Sequence, residues 1–340
     1  MSKRITATSM NFTVVPRIDA HMTTEPSMDE NTKLPPDEAF DIVGDEVRSQ
    51  ILRALGEADE PLSYSELLDR IEYGSTNFHY HLDKLVGHFI RKTEAGYVLR
   101  QAGGRVVKAI LSGAVTEYPV LERTPVETPC FLCGGTLEMS YRQEIVGLFC
   151  TDCGGTRTGT SDPTGQVTQP PTDIVGALGL PPAGIYGRTP SESLRAAEIW
   201  TISQGQAVAR DVCPWCSASL EHTVSVCENH DPSQDHCDEC DHRFGVHVHI
   251  ACSNCIFEQT SIVTARLLSN RDVMTFMLNH GIDPISPDAF HLTAKETIHS
   301  TDPLEVSFTF TADSDTLTVT VGQDLSVEDV TKGQIKEPGE

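Results

Sequence analysis

The stretch STNFHYHLDKLVGHFIRKTEAGYVLR, residues 75–100, decides the fold of the N-terminal part of this chain. At 100° per residue, Phe78, Leu82 and Leu85 fall on one face of a helix. The residues that follow read as two short strands around Glu94-Ala95-Gly96. We therefore predict a helix from Ser75 to about Gly87, followed by a β-hairpin.

Two histidines in this helix, His79 and His81, invite a metal-binding interpretation. Neighbouring ligands on one helix face need a spacing of three or four residues, and these two are only two apart. They flank the apolar stripe on opposite sides, so a shared metal site is not expected. We expect His81 to be partly buried and hydrogen-bonded within its domain, and His79 to lie at the rim of a surface.

The flanking segments extend the pattern into a domain. Residues 38–55 carry an apolar stripe that predicts an amphipathic helix. A second helix should begin after Ser63, which stands three residues before Glu66 in a capping-box arrangement, and a last helix is predicted over about 103–115. Helix, helix, helix, hairpin and helix within 37–116 is the order of a winged helix-turn-helix domain, and the predicted class of the whole chain is α+β.

A winged helix would read DNA with the polar face of its third helix and with its hairpin. Within this stretch only Asp83 and Glu94 are acidic, so positive charge is concentrated here. The alternative to DNA binding is that the hairpin is charged only because it is exposed to solvent. The candidate DNA-binding residues are Ser75, Thr76, Asn77, His79, Tyr80, Lys84, Arg91, Lys92 and Arg100.

The segments GDEVRSQILRAL, LSYSELLDRI and STNFHYHLDKLVGHFIRKTEAGYVLRQAGGRVVKAI resemble the ArsR-type winged-helix transcriptional regulators, in the version common in haloarchaea. Tyr80-His81-Leu82 followed by Leu85 stands where that family has its recognition helix. The resemblance covers about 37–115 and implies a regulator that binds double-stranded DNA, which we expect to be a homodimer. Classical metal sensors of the family carry a Cys-x-Val-Cys element near this helix. No cysteine precedes Cys130, so metal-responsive release of DNA by that route is not supported.

The charge balance needs its own explanation, because 25 Lys and Arg stand against 49 Asp and Glu, a formal charge of −24. Such a charge normally argues against nucleic acid. A cytoplasm at molar salt also favours acidic surfaces, and the screening length there is only about 3 Å. We favour this halophilic interpretation. No apolar run could span a membrane, and the N-terminus lacks a secretory apolar segment, so we expect a cytoplasmic protein.

All 11 cysteines lie after residue 129. Cys130, Cys133, Cys150 and Cys153 form a C-x2-C-x16-C-x2-C pattern with strand-like sequence between the pairs. Two such pairs supply the four tetrahedral ligands of zinc, and the glycines that follow them permit the positive φ of a tight turn. We predict a zinc ribbon over 126–156. A thiol redox pair would need one reactive Cys-x-x-Cys rather than two matched pairs.

A second block offers eight ligands, enough for two more sites, which gives up to three structural Zn²⁺ per chain. Pairing in sequence order gives two side-by-side ribbons, and an interleaved pairing of first with third and second with fourth is also open. His247 and His249 should line the solvent face of a strand, with His222, His236 and His242 nearby as spare imidazoles. The candidate ligands are Cys213, Cys216, Cys227, His230, Cys237, Cys240, Cys252 and Cys255.

The remaining segments are assigned from composition and periodicity. We predict disordered tails at 1–36 and 326–340 and a linker at 157–190. Residues 191–325 form a second zinc-binding α+β region. It should contain a helix capped by Ser191, a helix over about 269–280 and a C-terminal hairpin.

These patterns favour a transcriptional regulator that reads duplex DNA, with structural zinc in an interaction or effector region. An alternative is a general transcription factor that resembles archaeal transcription factor E and binds RNA polymerase or basal factors and promoter DNA. A zinc-dependent nucleic-acid enzyme would need an open metal position. Each site here has four good ligands and no catalytic motif is present, so we do not expect an enzyme.

Overall fold

The computed structural model describes residues 34–71, 77–156, 173–234, 236–292 and 294–335. The chain divides into two compact units, Met1–Thr116 and Glu117–Glu340. The first is mostly helical and the second is built from antiparallel sheets with a few helices, so the predicted α+β class is confirmed. Among the residues described, no helix has the length and apolar character needed to cross a bilayer.

The N-terminal unit has five helices and one hairpin among its described residues. Its elements are α1 (Pro36–Val43), α2 (Glu46–Glu57), α3 (Tyr64–Ile71), α4 (Phe78–Leu85), β1 (Ile90–Lys92), β2 (Tyr97–Leu99) and α5 (Gln101–Leu111). The predicted hairpin is confirmed, with Arg91 opposite Val98 in antiparallel register.

The single helix predicted over 38–55 is wrong, because the chain breaks between α1 and α2. Asp45 caps α2 by accepting a hydrogen bond from the backbone N–H of Arg48 at 3.1 Å. The Arg48 guanidinium donates in turn to the backbone carbonyls of Ile42 and, at 2.9 Å, Asp41. The exposed carbonyls at the end of α1 and the amides at the start of α2 are thus satisfied by two side chains.

The predicted capping box at α3 is confirmed. Glu66 accepts from the Ser63 backbone N–H at 2.8 Å, and Ser63 Oγ accepts from the Glu66 backbone N–H at 3.3 Å. The following helix, α4, begins at Phe78 rather than at Ser75, which with Thr76 lies outside the described residues.

A single apolar core holds the N-terminal unit. Helix α2 occupies its centre, and α3, α4, α5 and the hairpin contribute from around it. The core side chains that lose all contact with solvent are Ile51, Leu52, Leu67, Phe78, Leu82, Leu85 and Ile90.

The C-terminal unit begins with a four-stranded antiparallel sheet in sequence order. Its strands are β3 (Leu121–Pro125), β4 (Leu137–Arg142), β5 (Ile145–Cys150) and β6 (Ile174–Gly179). The prediction of a linker over 157–190 is wrong from residue 174 onward, because β6 pairs with β5 and a 3₁₀ turn follows at Pro182–Gly184. Residues 157–172 of that prediction lie outside the described part.

Helix α6 (Pro190–Val208) begins one residue before the predicted cap at Ser191. Thr189 is the actual cap, since its side chain and that of Glu192 form a reciprocal capping box. Leu194 and Ala197 of this helix join the core of the first sheet, and Val208 joins the second core of the unit.

The second half of the unit contains two more antiparallel sheets and two helices. They are β7 (Leu220–Val226), β8 (Val246–Cys252), β9 (Glu258–Ile262), α7 (Val263–Leu267), α8 (Arg271–Asn279), β10 (Ala294–Thr301), β11 (Leu304–Ala312), β12 (Asp315–Val321) and β13 (Val327–Gln334), with a 3₁₀ turn at Pro287–His291. The predicted helix near 269–280 and the hairpin β11–β12 are confirmed.

Strand β13 overturns the disordered tail predicted over 326–340. It pairs with β12 from Val327 to Gln334, with Val330 opposite Val319 and a one-residue bulge at Glu328. Its side chains are largely polar and exposed, so its sequence lacks the apolar alternation that marks a strand with one buried face. Residues 336–340 lie outside the described part.

Candidate metal centres and nucleic-acid interface

The first cysteine block closes into one cluster. Antiparallel pairing of β4 with β5 sets Leu137 opposite Cys150, so the pair before β4 meets the pair at the end of β5. The sulfurs of Cys130 and Cys153 lie 4.0 Å apart, and those of Cys133 and Cys150 lie 3.5 Å apart. The four thiols are all within 4.8 Å of one another, and none forms a disulfide.

These distances suit a tetrahedral metal. A Zn–S bond of about 2.3 Å places neighbouring sulfurs about 3.8 Å apart. Backbone N–H groups also point at the sulfurs, as Asp152 and Cys153 donate to Cys150 Sγ at 3.3 and 3.4 Å. Such contacts stabilise a thiolate, so the donor set fits a soft divalent cation.

The second block makes two clusters, and their pairing is nested. Cys213 and Cys216 meet Cys252 and Cys255, whereas the inner ligands Cys227, His230, Cys237 and Cys240 form a cluster of their own. The sulfur of Cys216 lies 3.4 Å from that of Cys252, and the sulfur of Cys240 lies 3.6 Å from His230 Nδ1. Neither the sequential nor the interleaved pairing considered from the sequence is correct.

The register of one hairpin explains the nesting. Strands β7 and β8 pair antiparallel, with Leu220 opposite Cys252 at one end and Val226 opposite Val246 at the other. The outer ligands therefore meet before β7 and after β8, and the inner ligands meet in the connection between the strands. Seven residues per strand separate the two clusters by about 23 Å of hairpin.

Three of the Cys-x-x-Cys turns have the same backbone conformation. The fourth residue after the first cysteine donates its N–H back to that cysteine's carbonyl and has a positive φ. This residue is Gly134 at φ 75°, Ser217 at φ 64° and Asp241 at φ 57°. Glycine adopts this conformation without cost, and the other two do not.

The thiols of each cluster differ in acidity when no cation offsets them. Burial, together with the neighbouring thiols of the same cluster, raises the pKa of Cys153 and of Cys240 to about 12. The backbone N–H of Ala218 instead lowers the pKa of the exposed Cys216 to about 6. A divalent cation stabilises the deprotonated form of all four ligands, so metal binding would lower the pKa of every thiol in a cluster.

The spare histidines lie outside the three clusters found among the described residues. The prediction for His247 is wrong: its side chain is only 9% exposed, because the connection that holds the inner cluster covers this face of β8. Burial first, and then His242 and His230, lower the pKa of His247 to about 4. His249, one pleat further along, is exposed as predicted.

Two further contacts hold the inner cluster within its unit. His236 Nε2 lies 3.2 Å from the Gly155 carbonyl, which ties this connection to the end of the first ribbon. Glu296 of β10 accepts from the Gly245 N–H at 2.6 Å, and Gly245 O accepts from the Cys227 N–H at 2.8 Å. Sequence reasoning missed Glu296, because a carboxyl is rarely buried even where the alternation of a strand places it on the inner face.

An open cleft of about 540 Å³ lies beside the inner cluster. The ligand residues Cys227 and Cys240 line it together with Glu228, Glu239 and Thr260.

In the N-terminal unit, α4 separates its two faces sharply. Phe78, Leu82 and Leu85 are fully buried, and the exposed side carries Asn77, His79, Tyr80 and Lys84. Tyr80 is 56% exposed, with Lys84 Nζ 5.7 Å from the centre of its ring.

The two histidines behave differently, as expected. His79 is exposed and lies 3.1 Å from Asp83 in the same helix. His81 is 9% exposed, and its Nδ1 lies 3.1 Å from Asp45 Oδ1 at the start of α2. This contact ties α4 to the cap of α2, and Asp45 is the partner that sequence reasoning did not identify.

The hairpin places its cations next to α4. Phe89 donates to the Leu85 carbonyl at 3.0 Å, so the strand starts directly after the helix. Lys92 is exposed over Tyr97, and Arg91 is half-buried. Arg100 donates to the Gly87 carbonyl at 2.8 Å, so its guanidinium also stabilises the turn between α4 and β1.

Two family models match the chain. Residues 127–327 match the family described as Domain of unknown function (DUF7351), and residues 36–110 match Domain of unknown function (DUF7347). The first match covers more than half of the chain, which therefore belongs to the DUF7351 family. Comparison with curated proteins and with solved structures found no match.

Proposed function

We propose that this protein is a DNA-binding transcriptional regulator and that its N-terminal unit is a winged helix-turn-helix. The element order supports the proposal, since α2, α3 and α4 are followed directly by a two-stranded hairpin and α5. In this fold α4 is the recognition helix and β1–β2 is the wing.

One observation carries the proposal: α4 buries its apolar residues completely and exposes a compact polar surface beside a cationic hairpin. Asn77, Tyr80 and Lys84 offer an amide, a phenol and an ammonium group, which are donors and acceptors for base edges and phosphates. The exposed Lys92 adds positive charge on the hairpin, where it could contact the phosphate backbone of bound DNA. The acidic excess of the chain, a net charge of −24, does not oppose this role at molar salt, where charges beyond contact range are screened.

We propose that the three clusters each hold one structural Zn²⁺. Every cluster offers four protein ligands in tetrahedral range, and a catalytic zinc usually keeps one position for water. The C-terminal unit is then a rigid body for dimerisation, effector binding or contact with the transcription machinery, and the protein is not an enzyme. We further propose that it acts in the cytoplasm as a homodimer.

The test is genome-wide occupancy of the tagged, full-length protein at native salt. The double variant Tyr80→Ala/Lys84→Ala should lose site-specific occupancy. A matched control, Lys108→Ala/Tyr118→Ala, changes the same residue types at exposed positions outside the sequence of α4 and should keep it. Unchanged occupancy in the first variant, at equal protein level, contradicts the recognition-helix assignment.

A second candidate is a general transcription factor similar to archaeal transcription factor E. The observation in its favour is that the two turns of the cluster formed by Cys213, Cys216, Cys252 and Cys255 expose Trp215 and Ile256, which are 63% and 88% exposed. Such side chains are typical of protein contacts. Stoichiometric co-purification with RNA polymerase, lost in Trp215→Ala, would favour this candidate, and occupancy at a few promoters without polymerase would favour a locus-specific regulator.

A further inference from the structure

Two histidines that belong to none of the three clusters pack against each other beside the inner cluster. His247 lies on β8 and is 9% exposed, and His242 is half-buried in the connection that carries the inner ligands. The centres of the two rings are 4.8 Å apart, and their planes are tilted by 57°. The connection thus folds one imidazole against the other.

Each of these rings has a buried nitrogen that needs a partner. His242 Nδ1 and His247 Nε2 are closed off from solvent, and neither has a hydrogen-bond partner among the described residues. Buried polar atoms of native proteins are nearly always satisfied by protein groups, by ordered water or by a bound ion. Two such nitrogens in contacting rings point to one partner that they share.

The surroundings of the two rings favour a cation as this partner. Both histidines line the open cleft beside the inner cluster, and so do the carboxylates of Glu228 and Glu239. Among the described residues that line the cleft, none is a lysine or an arginine. The acidic lining and the net charge of −24 attract cations and repel anions.

The spacing of the rings agrees with a metal ion between them. With metal–nitrogen bonds of about 2.0–2.1 Å, imidazoles at two tetrahedral corners have ring centres about 5 Å apart. The observed separation of 4.8 Å is close to this value. Aromatic rings that merely pack together have similar separations, so the two buried nitrogens carry the argument. Imidazole nitrogen is a good ligand for zinc and for the neighbouring transition metals.

We propose that His242 Nδ1 and His247 Nε2 bind one additional divalent transition-metal ion, such as Zn²⁺ or Co²⁺. In the described part of the chain, the two histidines belong to no group of three or more protein ligands within 4.8 Å. The protein therefore supplies two ligands, and water or another oxygen donor in the cleft fills the remaining positions. With only two protein ligands this ion is removed by dialysis, which leaves the ions of the four-ligand clusters in place.

This site is additional to the structural zinc of the proposed function, and its occupancy is measured without DNA. A fourth ion counted separately from the zinc content distinguishes its failure from a failure of the structural sites. The alternative partner is an ordered water that bridges the two nitrogens. Water and metal predict different stoichiometries when a second metal is added.

Cobalt binding to the zinc-loaded, dialysed full-length protein provides the first test. We expect equilibrium dialysis to find one Co²⁺ per chain in addition to the retained zinc. Its visible absorption should be that of nitrogen and oxygen ligands, without the near-ultraviolet charge-transfer band that thiolate ligands produce. Absence of cobalt binding would show that water lies between the rings and would overturn the proposal. A thiolate charge-transfer band would place the cobalt at a cysteine cluster and would overturn it as well.

Phenylalanine variants provide the second test, because phenylalanine keeps the ring and removes the nitrogens. His242→Phe and His247→Phe should each weaken Co²⁺ binding at least about tenfold, with unchanged zinc content. The control is His249→Phe, at an exposed position on the same strand that is not among the residues lining the cleft, and it should bind Co²⁺ normally.

His242 lies outside the strands, so its variant tests the site even if His247→Phe impairs folding of the sheet. Unchanged Co²⁺ binding in His242→Phe, or equal weakening in His249→Phe, would contradict the assignment. Loss of one zinc ion from His242→Phe would assign this histidine to the inner cluster and would also overturn the proposal.

Discussion

The N-terminal unit is held by one apolar core around α2, whereas the C-terminal unit has two apolar cores and also gathers Cys and His side chains at the turns of its hairpins. In the first unit, Leu52 and Phe78 lose all exposure, and helix ends are satisfied by caps such as Asp45. In the second, the inner cluster sits in a connection that runs from Cys227 to Gly245 without a helix or strand among its described residues. Where a segment has too few apolar residues to bury, metal ligands can take over the stabilising role.

Metal removal should therefore separate the two units, and this is the largest effect we expect. Structural zinc contributes about 10 kcal/mol or more per site in small domains. Treatment of the full-length protein with a strong chelator should abolish the dispersed amide NMR signals around the three clusters of the C-terminal unit and keep those of α1–α5. Loss of both sets, or of neither, would contradict the division, and added zinc should restore the original spectrum.

A core truncation should produce the reverse pattern. Leu52→Ala removes a fully buried side chain and should destabilise the N-terminal unit by about 2–5 kcal/mol. Bound metal per chain should not change. The matched variant Leu111→Ala, at an exposed position at the end of α5, should change the unfolding free energy by less than about 1 kcal/mol. Metal loss in Leu52→Ala would show that the units are not independent.

A buried carboxyl should make the C-terminal unit sensitive to pH. Burial raises the pKa of Glu296 to about 7, although the backbone N–H groups of Gly245 and Val246 act in the opposite direction. Because the pKa of Glu296 is higher in the folded protein than its unfolded value of 4.5, the protonated carboxyl favours folding. Its contribution to the free energy of unfolding is fully present below pH 4.5 and is lost as the pH rises toward 7.

The variant Glu296→Gln removes this titration. Relative to the wild type it should gain on the order of 2 kcal/mol at pH 8, and the gain should shrink as the pH falls toward 5. Denaturant unfolding of the zinc-loaded protein at several pH values measures the difference. A constant difference across that range would contradict the assignment.

The smallest effect concerns the positive-φ residue of the Cys-x-x-Cys turns. Ser217→Gly should raise the unfolding free energy of the C-terminal unit by about 0.5–1 kcal/mol, because glycine adopts φ 64° without strain. Gly134→Ala, at a position where an added Cβ meets no atom within 4 Å, should lower it by about the same amount. Thermal unfolding of the zinc-loaded variants measures both, and equal signs would contradict the explanation.

Local signals in the sequence predicted the helices and hairpins well where a cap or turn residue marks them. Ser63 with Glu66 gave the start of α3, and Glu94-Ala95-Gly96 gave the first hairpin. The sequence did not reveal the break between α1 and α2 at Gly44, because the apolar stripe keeps its helical period across it. Asp45 therefore read as one more polar position of a continuous helix rather than as a cap.

The metal ligands could be identified from their spacing, but their pairing could not. The four ligand pairs of the second block are separated by 10, 6 and 11 residues, and these spacings do not select one pairing over another. The nested arrangement depends on the pairing of β7 with β8 across the 19 residues between them, and no local pattern reveals that register. The sequence did not predict the edge strands β13 and β6 for the same reason. They are polar or glycine-rich and form strands only because they pair with β12 and β5.

The metal clusters and their ligand sets are the central claim, and cadmium-113 NMR of the substituted protein tests it most directly. We expect three resonances, two from four-sulfur sites and one from a three-sulfur, one-nitrogen site. Cys216→Ser and Cys252→Ser should perturb one and the same resonance, and Cys227→Ser and Cys240→Ser should perturb a different one. If Cys216→Ser and Cys227→Ser instead perturbed a single shared resonance, the nested arrangement would be contradicted.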